Sequence, residues 1–255
     1  MSYKDKLNQL IVLSRRLGDP GRDLVILGEG NTSAKVDNKT FLIKASGKEL
    51  RTADENSFVG MSLPRVLAAF DKEKIRDEEI RALILKARID RSIKTLPSLE
   101  VFLHAYLLSL PGINFVGHTH PTAVNAILCS VKSREIVQGR IFPDEIVYCG
   151  PAISYVEYRD PGIPLARQLR SCVNEFIIEH KIPPKVILME NHGLITCGST
   201  PLQIETITSM YVKTARILLG TYVLGGPRVL TPENVDRIHT RPDEHYRRKQ
   251  LDGKG

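Results

Sequence analysis

An α/β fold is predicted for this chain of 255 residues. Two observations predict it. Apolar residues recur at helical spacing from one end to the other, at 3–17, 163–180 and 201–224, with Gly or Pro at the borders of these stretches. Between them lie short strand-like runs: a pair around Asp37-Asn38-Lys39, and single runs at 113–118 and 185–190. No repeat, low-complexity tract or linker breaks the pattern. Residues 1–225 therefore read as one domain, and 226–255, beginning at Gly226-Pro227, as a partly mobile basic extension.

Composition sets the broad class. Hydrophobic residues at 42% and charged residues at 25% are ordinary for a globular protein that can bury a sizeable core. The net charge of +7 invites a nucleic-acid reading, but bases and acids are interleaved, as in DKEKIRDEEIR at 71–81. Such runs are usually solvated helix faces. The one local excess is RIHTRPDEHYRRKQ at 237–250, and no DNA- or RNA-binding module accompanies it, so nucleic acid is not the expected partner. A basic surface also steers small anionic substrates. Cys129, Cys149, Cys172 and Cys197 are scattered without a Cys-x-x-Cys, as expected of reduced thiols in a cytosol. No apolar run long enough for a membrane span and no cleavable leader is present, so a cytoplasmic location is expected.

The elements follow in order. Leu7, Leu10, Ile11, Leu13 and Leu17 mark an amphipathic helix that Gly18 and Pro20 stop. GEGNTS at 28–33 is a tight turn rich in amide and hydroxyl donors, suited either to an anion or to a hairpin turn. Strands 33–36 and 40–44 follow, and the second runs into Ala45-Ser46-Gly47-Lys48, another small-residue turn. Residues 51–96 read as a charged peripheral excursion with short helices at 62–70 and 78–90. A helix is expected over 97–110, with Pro97 at its start and Ser98 in its first turn, near free amides and the positive end of the dipole. Glu100 and His104 lie four apart on it and can share a face, although a lone helical histidine is more often structural than a ligand.

Strand 113–118 ends in His118 and His120. Alternation puts both imidazoles on one side, where they can grip a divalent metal. Residues 140–160 have strand-like composition in IVYCG and ISYVEY. The apolar strand 185–190 ends in Asn191-His192-Gly193, and His192 is placed to be a third ligand. Three neutral imidazoles leave an open coordination position, the usual arrangement of a catalytic zinc. Residues 231–239 read as a last short helix.

GEGNTS, KASGKEL, PSLEVFLHA, GHTHPTAV and LMENHGLITCGSTP, in this order, resemble the class II aldolase/adducin family. The wording is most similar to the aldolase part of rhamnulose-phosphate aldolase/alcohol dehydrogenase fusions, here expected to stand alone. The resemblance runs from about residue 3 to residue 224. It implies a three-layer α/β/α domain with a central, mainly antiparallel sheet, assembled as homotetramers with active sites between subunits. It implies that His118, His120 and His192 bind Zn2+ or another divalent metal, that Glu100 is the catalytic acid/base, and that Asn31, Ser46, Gly47 and Ser98 bind a phosphate. The implied reaction is retro-aldol cleavage of a ketose 1-phosphate to dihydroxyacetone phosphate and an aldehyde, a role for Glu100 that needs a dry pocket. Epimerases, dehydratases and decarboxylases of the family share the same ligands. Non-catalytic adducin heads have lost them, whereas this chain retains all three histidines and Glu100. Two positions depart from the pattern. Leu99 stands where the fuculose type has a second phosphate-binding serine, and the tyrosine that some members contribute from a neighbouring subunit has no unambiguous match, Tyr148 being given no role.

Overall fold

A computed structural model describes residues 2–72, 75–92 and 95–243. Among these, seven strands form one sheet: β1 (Asn31–Lys35), β2 (Thr40–Lys44), β3 (Phe58–Ser62), β4 (Phe115–Thr119), β5 (Ser154–Val156), β6 (Val186–Met189) and β7 (Gly193–Gly198). Their spatial order is β3-β2-β1-β4-β7-β6-β5. Every neighbouring pair is antiparallel except β5 with β6. The sheet is thus mainly antiparallel, as expected.

Both faces of the sheet are apolar, and the strand period of two sorts the side chains between them. Phe41, Ile43, Val116, Ile187 and Ile195 enter one core. Leu42, Phe115, Val186, Leu188 and Leu194 enter the other. The first core is covered by α2 (Leu63–Leu67), α3 (Asp77–Ala87), α4 (Val101–Ser109) and α8 (Ile163–His180). The second is covered by α1 (Tyr3–Leu17), α5 (Thr122–Leu128), α7 (Pro143–Cys149) and α9 (Pro201–Val223). This is the three-layer arrangement, with a core on each side of the sheet. A short α6 (Ser133–Ile136) and α10 (Pro232–Thr240) complete the described α-helices, and α10 is the last short helix expected near 231–239.

Local chemistry accounts for the boundaries. Helix α1 opens with a capping box: the Asp5 amide donates to Ser2 Oγ at 3.1 Å, and the Ser2 amide donates to the Asp5 carboxylate at 3.0 Å. It closes at Gly18, where a Cβ would lie 2.3 Å from the Arg51 amide nitrogen.

Three expectations are corrected. The helix expected over 97–110 begins only at Val101. Pro97 instead bridges to Ala45, and the Ser98 amide donates to Lys44 O at 3.0 Å, so 97–98 stay tied to the end of β2. Ser98 therefore precedes the helix, and Glu100 is its N-cap residue. IVYCG at 146–150 belongs to α7 and its cap, not to a strand. Pro143 at the helix start, Asp144 and Glu145 in the first turn, and burial of Ile146, Val147 and Cys149 outweigh its β-branched composition. Finally, 51–96 is no mere excursion: β3 forms one edge of the sheet, and Val59, Met61, Val66 and Ile84 join the first core. The basic end, expected to be mobile, falls from residue 244 onward outside the described residues.

Candidate active site

The register of β1 on β4 sets Asn31 opposite His118, which brings the GEGNTS turn and the His-x-His pair to one end of the sheet. The approach is close enough to require glycine. Gly30 has φ +64°, and a Cβ there would lie 2.6 Å from His118 O. His120 sits just past β4, its amide donating to Leu24 O at 2.8 Å. Strands β6 and β7 form a tight hairpin in which Met189 pairs with Gly193, so His192 stands at its tip. Asn191 takes the left-handed conformation there (φ 51°), a role asparagine tolerates. Gly193 lets the tip reach His120, since a Cβ would meet His120 Cδ2 at 2.7 Å.

The three imidazoles converge. Ring centroids lie 4.6 Å apart for His118–His120, 5.0 Å for His118–His192 and 5.2 Å for His120–His192. One nitrogen from each lies within 4.8 Å of the others. His118 Nδ1–H donates to Leu194 O at 3.0 Å, which leaves Nε2 as a lone-pair donor facing the cluster. Burial, with the neighbouring His192 and Lys44 adding to it, pushes His118 down to about 3, while its hydrogen bond to Leu194 opposes. Burial, then His118 and His192, lower His120 to about 4 against the pull of Glu29 and Glu100. Both rings are therefore neutral near neutral pH, the form that ligates metal. His118 Nε2 and His120 Nε2 lie 2.9 Å apart, close enough that both would serve one divalent cation. This donor set fits a divalent metal of the zinc type.

Glu100 completes the cluster. Its Oε1 lies 3.2 Å from His192 Nε2 and its Oε2 lies 3.4 Å from His118 Nε2. The carboxylate is buried, and Oε1 has no hydrogen-bond partner. Asn31 Nδ2 donates to Oε2 at 2.6 Å and to Ser98 Oγ at 3.2 Å.

The third part of the site is the turn after β2. Ser46 and Gly47 are exposed, and Gly47 has φ +74°. Lys44 is buried beneath them. Its ammonium donates to Gly28 O at 2.9 Å and to Lys48 O, bracing the two turns together. Burial lowers Lys44 to about 8, while Glu100 and Glu49 hold it up. One cavity of about 250 Å³ is lined by residues of all these segments: 28–31, 44–47, 98–100, His118, His120 and His192, with Pro161 at its wall.

The structure thus brings together every site residue expected from the sequence: Asn31, Ser46, Gly47, Ser98, Glu100, His118, His120 and His192. Leu99 stands at the rim, 65% exposed. Tyr148 lies on α7, its carbonyl accepting from Lys185, and does not line this cavity. Sequence reasoning passed over Lys44 and Glu29. The signal for Lys44 was a charge closing an apolar strand directly before a small-residue turn. Glu29, whose Oε1 is 3.8 Å from His120 Nδ1, carried no signal beyond its place between two glycines.

Comparison with known proteins identifies a family. Residues 8–219 match the family described as the Class II Aldolase and Adducin N-terminal domain. The chain is 30% identical over 253 residues to YuxG of Bacillus subtilis, named an uncharacterized oxidoreductase; the match covers 96% of this chain but 33% of that protein, so the chain spans about a third of its length. It is 24% identical over 210 residues to the L-fuculose phosphate aldolase of Methanococcus vannielii, covering 82% of this chain and 89% of that one. Among solved structures, the N-terminal class II aldolase domain of a conserved protein from Thermoplasma acidophilum superposes with a TM-score of 0.68 at 26% identity, over 86% of this chain and 96% of that one. The chain belongs to the class II aldolase and adducin family.

Proposed function

We propose that this chain is a zinc-dependent lyase that cleaves a ketose 1-phosphate, or a related sugar phosphate, to dihydroxyacetone phosphate and an aldehyde. The observation that carries the reading is the Glu100 carboxylate, buried within 3.2–3.4 Å of two of three clustered imidazoles, in one cavity with two anion-suited turns.

In this reading His118, His120 and His192 hold the metal. A divalent cation held there supplies Lewis acidity toward the substrate's carbonyl and neighbouring hydroxyl oxygens. Glu100 handles the proton at the adjacent carbon. When the C3–C4 bond breaks, the C4 hydroxyl proton passes to solvent and the C4 fragment leaves as the aldehyde. Glu100, protonated in turn from solvent, delivers a proton to C3 to give dihydroxyacetone phosphate, so that the net change moves one proton from the C4 oxygen to C3. Oε1, which takes no hydrogen bond and faces His192 Nε2 at 3.2 Å, is the oxygen that carries the proton in this reading. Asn31 holds the other carboxylate oxygen and is itself tied to Ser98 Oγ. Ser46, Gly47 and Ser98 receive the phosphate; Asn31 lines the same pocket but gives its amide protons to Glu100 and Ser98, and the buried Lys44 lines the same cavity.

The same reading expects a cytoplasmic homotetramer, which light scattering checks. Among the described residues no helix is long and apolar enough to cross a membrane. The deciding experiment is a screen of phosphorylated ketoses and keto acids with zinc, reading out dihydroxyacetone phosphate, carbon dioxide and epimers together. Metal-dependent release of dihydroxyacetone phosphate supports the aldolase. Carbon dioxide or epimers alone move the chain to another reaction on the same ligands. A purified protein that holds no divalent metal and turns over nothing is a scaffold.

A further inference from the structure

Behind Glu100 runs a chain of buried polar groups, Asn31, His104 and Ser33, of which the proposed reaction uses only Asn31. Asn31, whose Nδ2 donates to Glu100, turns its Oδ1 toward His104 Nε2, and the two are in hydrogen-bond contact. His104 Nδ1 lies 2.6 Å from Ser33 Oγ. His104 and Ser33 are fully buried and Asn31 nearly so. Two local repeats build the relay: Asn31 and Ser33 are i and i+2 on β1, and Glu100 and His104 are four apart at the start of α4.

We propose that His104 is a positioning residue for the Glu100 carboxylate, acting through Asn31, so that Ser33, His104 and Asn31 form a one-directional hydrogen-bond relay that aims the acid/base. The inference rests on the reading of Glu100 as that acid/base.

The direction follows from counting donors. Asn31 presents its NH2 to Glu100 Oε2 and its carbonyl oxygen to His104. Burial depresses His104 to about 3, so the ring is neutral, with one N–H and one lone pair. The N–H must then sit on Nε2, facing Asn31 Oδ1, and Nδ1 accepts from the Ser33 hydroxyl. Each group has one consistent role, and a flipped Asn31 would set its carbonyl oxygen against the carboxylate. A ring that only filled space would need neither nitrogen matched. Here both are, inside a core where an unmatched one costs free energy.

The test is a double-mutant cycle on the zinc-loaded protein. His104→Phe keeps an aromatic of similar size without the nitrogens. It is expected to keep its zinc and to lose kcat by ~10- to 100-fold with KM within about threefold, since the loss is one of aim and not of binding. His104→Gln, whose amide can donate to Asn31 Oδ1, recovers most of that loss. In an Asn31→Ala background, His104→Phe costs less than about twofold more, because its route to Glu100 is already gone. Additive losses, or a His104→Phe enzyme with kcat within about threefold of the parent, overturn the proposal. Should His104→Phe not fold, Ser33→Ala replaces it in the cycle. A loss of ~3- to 10-fold that vanishes in the Asn31→Ala background supports the relay, and no loss overturns it.

A parent protein without turnover would sink the proposed function and leave this inference to a second readout. Both Asn31 amide protons are bonded here, to Glu100 and Ser98, so in NMR they exchange slowly with solvent, and His104→Gln or Ser33→Ala speeds them. Unchanged exchange in both variants overturns the relay.

Discussion

The two halves of the cavity are built differently. On the metal side, His118, Asn31 and Glu100 are buried, and their positions are set by strand register, a hairpin tip and a chain of side-chain hydrogen bonds. On the anion side, Ser46, Gly47 and Lys48 are exposed and Leu99 is 65% exposed, with only Lys44 fixed beneath them. The first half is held by buried contacts from several elements. The second turns Ser46 and Gly47 to solvent, with the Ser46 amide tied to Leu96 O at 2.9 Å. Where chemistry demands placement within a fraction of an ångström, the fold invests buried contacts, and where recognition suffices it leaves a solvated rim.

If that contrast is right, changes on the metal side cost orders of magnitude and changes on the anion side cost several-fold. The largest effect is expected of His120→Ala, which removes one of three ligands. Metal analysis of the purified variant should find no bound zinc, and turnover should fall by at least ~10³-fold. A variant that still holds stoichiometric zinc would remove His120 from the ligand set. Next comes Glu100→Gln, which keeps the shape and the Asn31 contact but cannot carry a proton. It should retain zinc and lose ~10²- to 10⁴-fold in kcat. An active Glu100→Gln enzyme would end the acid/base assignment.

The buried side should also be the acid-labile side. His104 and His118 are pushed down to about 3 and His120 to about 4, chiefly by burial. The unfolded chain takes up protons near 6.5 that the folded one refuses. Stability of the chelator-stripped protein is therefore full above that pH and falls as pH drops from about 6.5 toward 3–4, by up to about 1.4 kcal/mol per pH unit for each such histidine. Urea midpoints across this range measure it. His104→Phe should flatten the slope by one histidine's share, and an unchanged slope would mean that the ring is protonated in the fold.

Much of the metal side was legible in the sequence because its information is local. His118 and His120 share a face through strand alternation, and His192 is flagged by the glycine beside it. The relay was half legible: Glu100 and His104 stand four apart, but that His104 meets Asn31 depends on how α4 packs on β1, which no local pattern encodes. Lys44 was missed because its partners, Gly28 O and Lys48 O, come from two separate turns. Errors in the elements have the same origin. IVYCG has strand composition, but Pro143 and the buried Arg140–Glu145 pair at 3.3 Å fix a helix there. The start of α4 was set too early because the ties from 97–98 to β2 are non-local.

The smallest expected effect tests the open side at Leu99. Its neighbours hold the backbone independently of it: the Ser98 amide donates to Lys44 O, the Val101 amide donates to Ser98 O, and the Glu100 amide donates to Ser98 Oγ at 3.3 Å. The side chain is exposed, so Leu99→Ser should change stability by no more than about 0.5 kcal/mol. A hydroxyl beside Ser98 adds a donor to an anion bound at the rim. In such a solvated place it should lower KM for a phosphorylated substrate by only ~2- to 5-fold, with kcat unchanged. A fall in kcat of the size expected for Glu100→Gln would show that Leu99 helps place the reacting atoms, and the division of the cavity into a buried chemical half and an open recognition half would then fail at this residue.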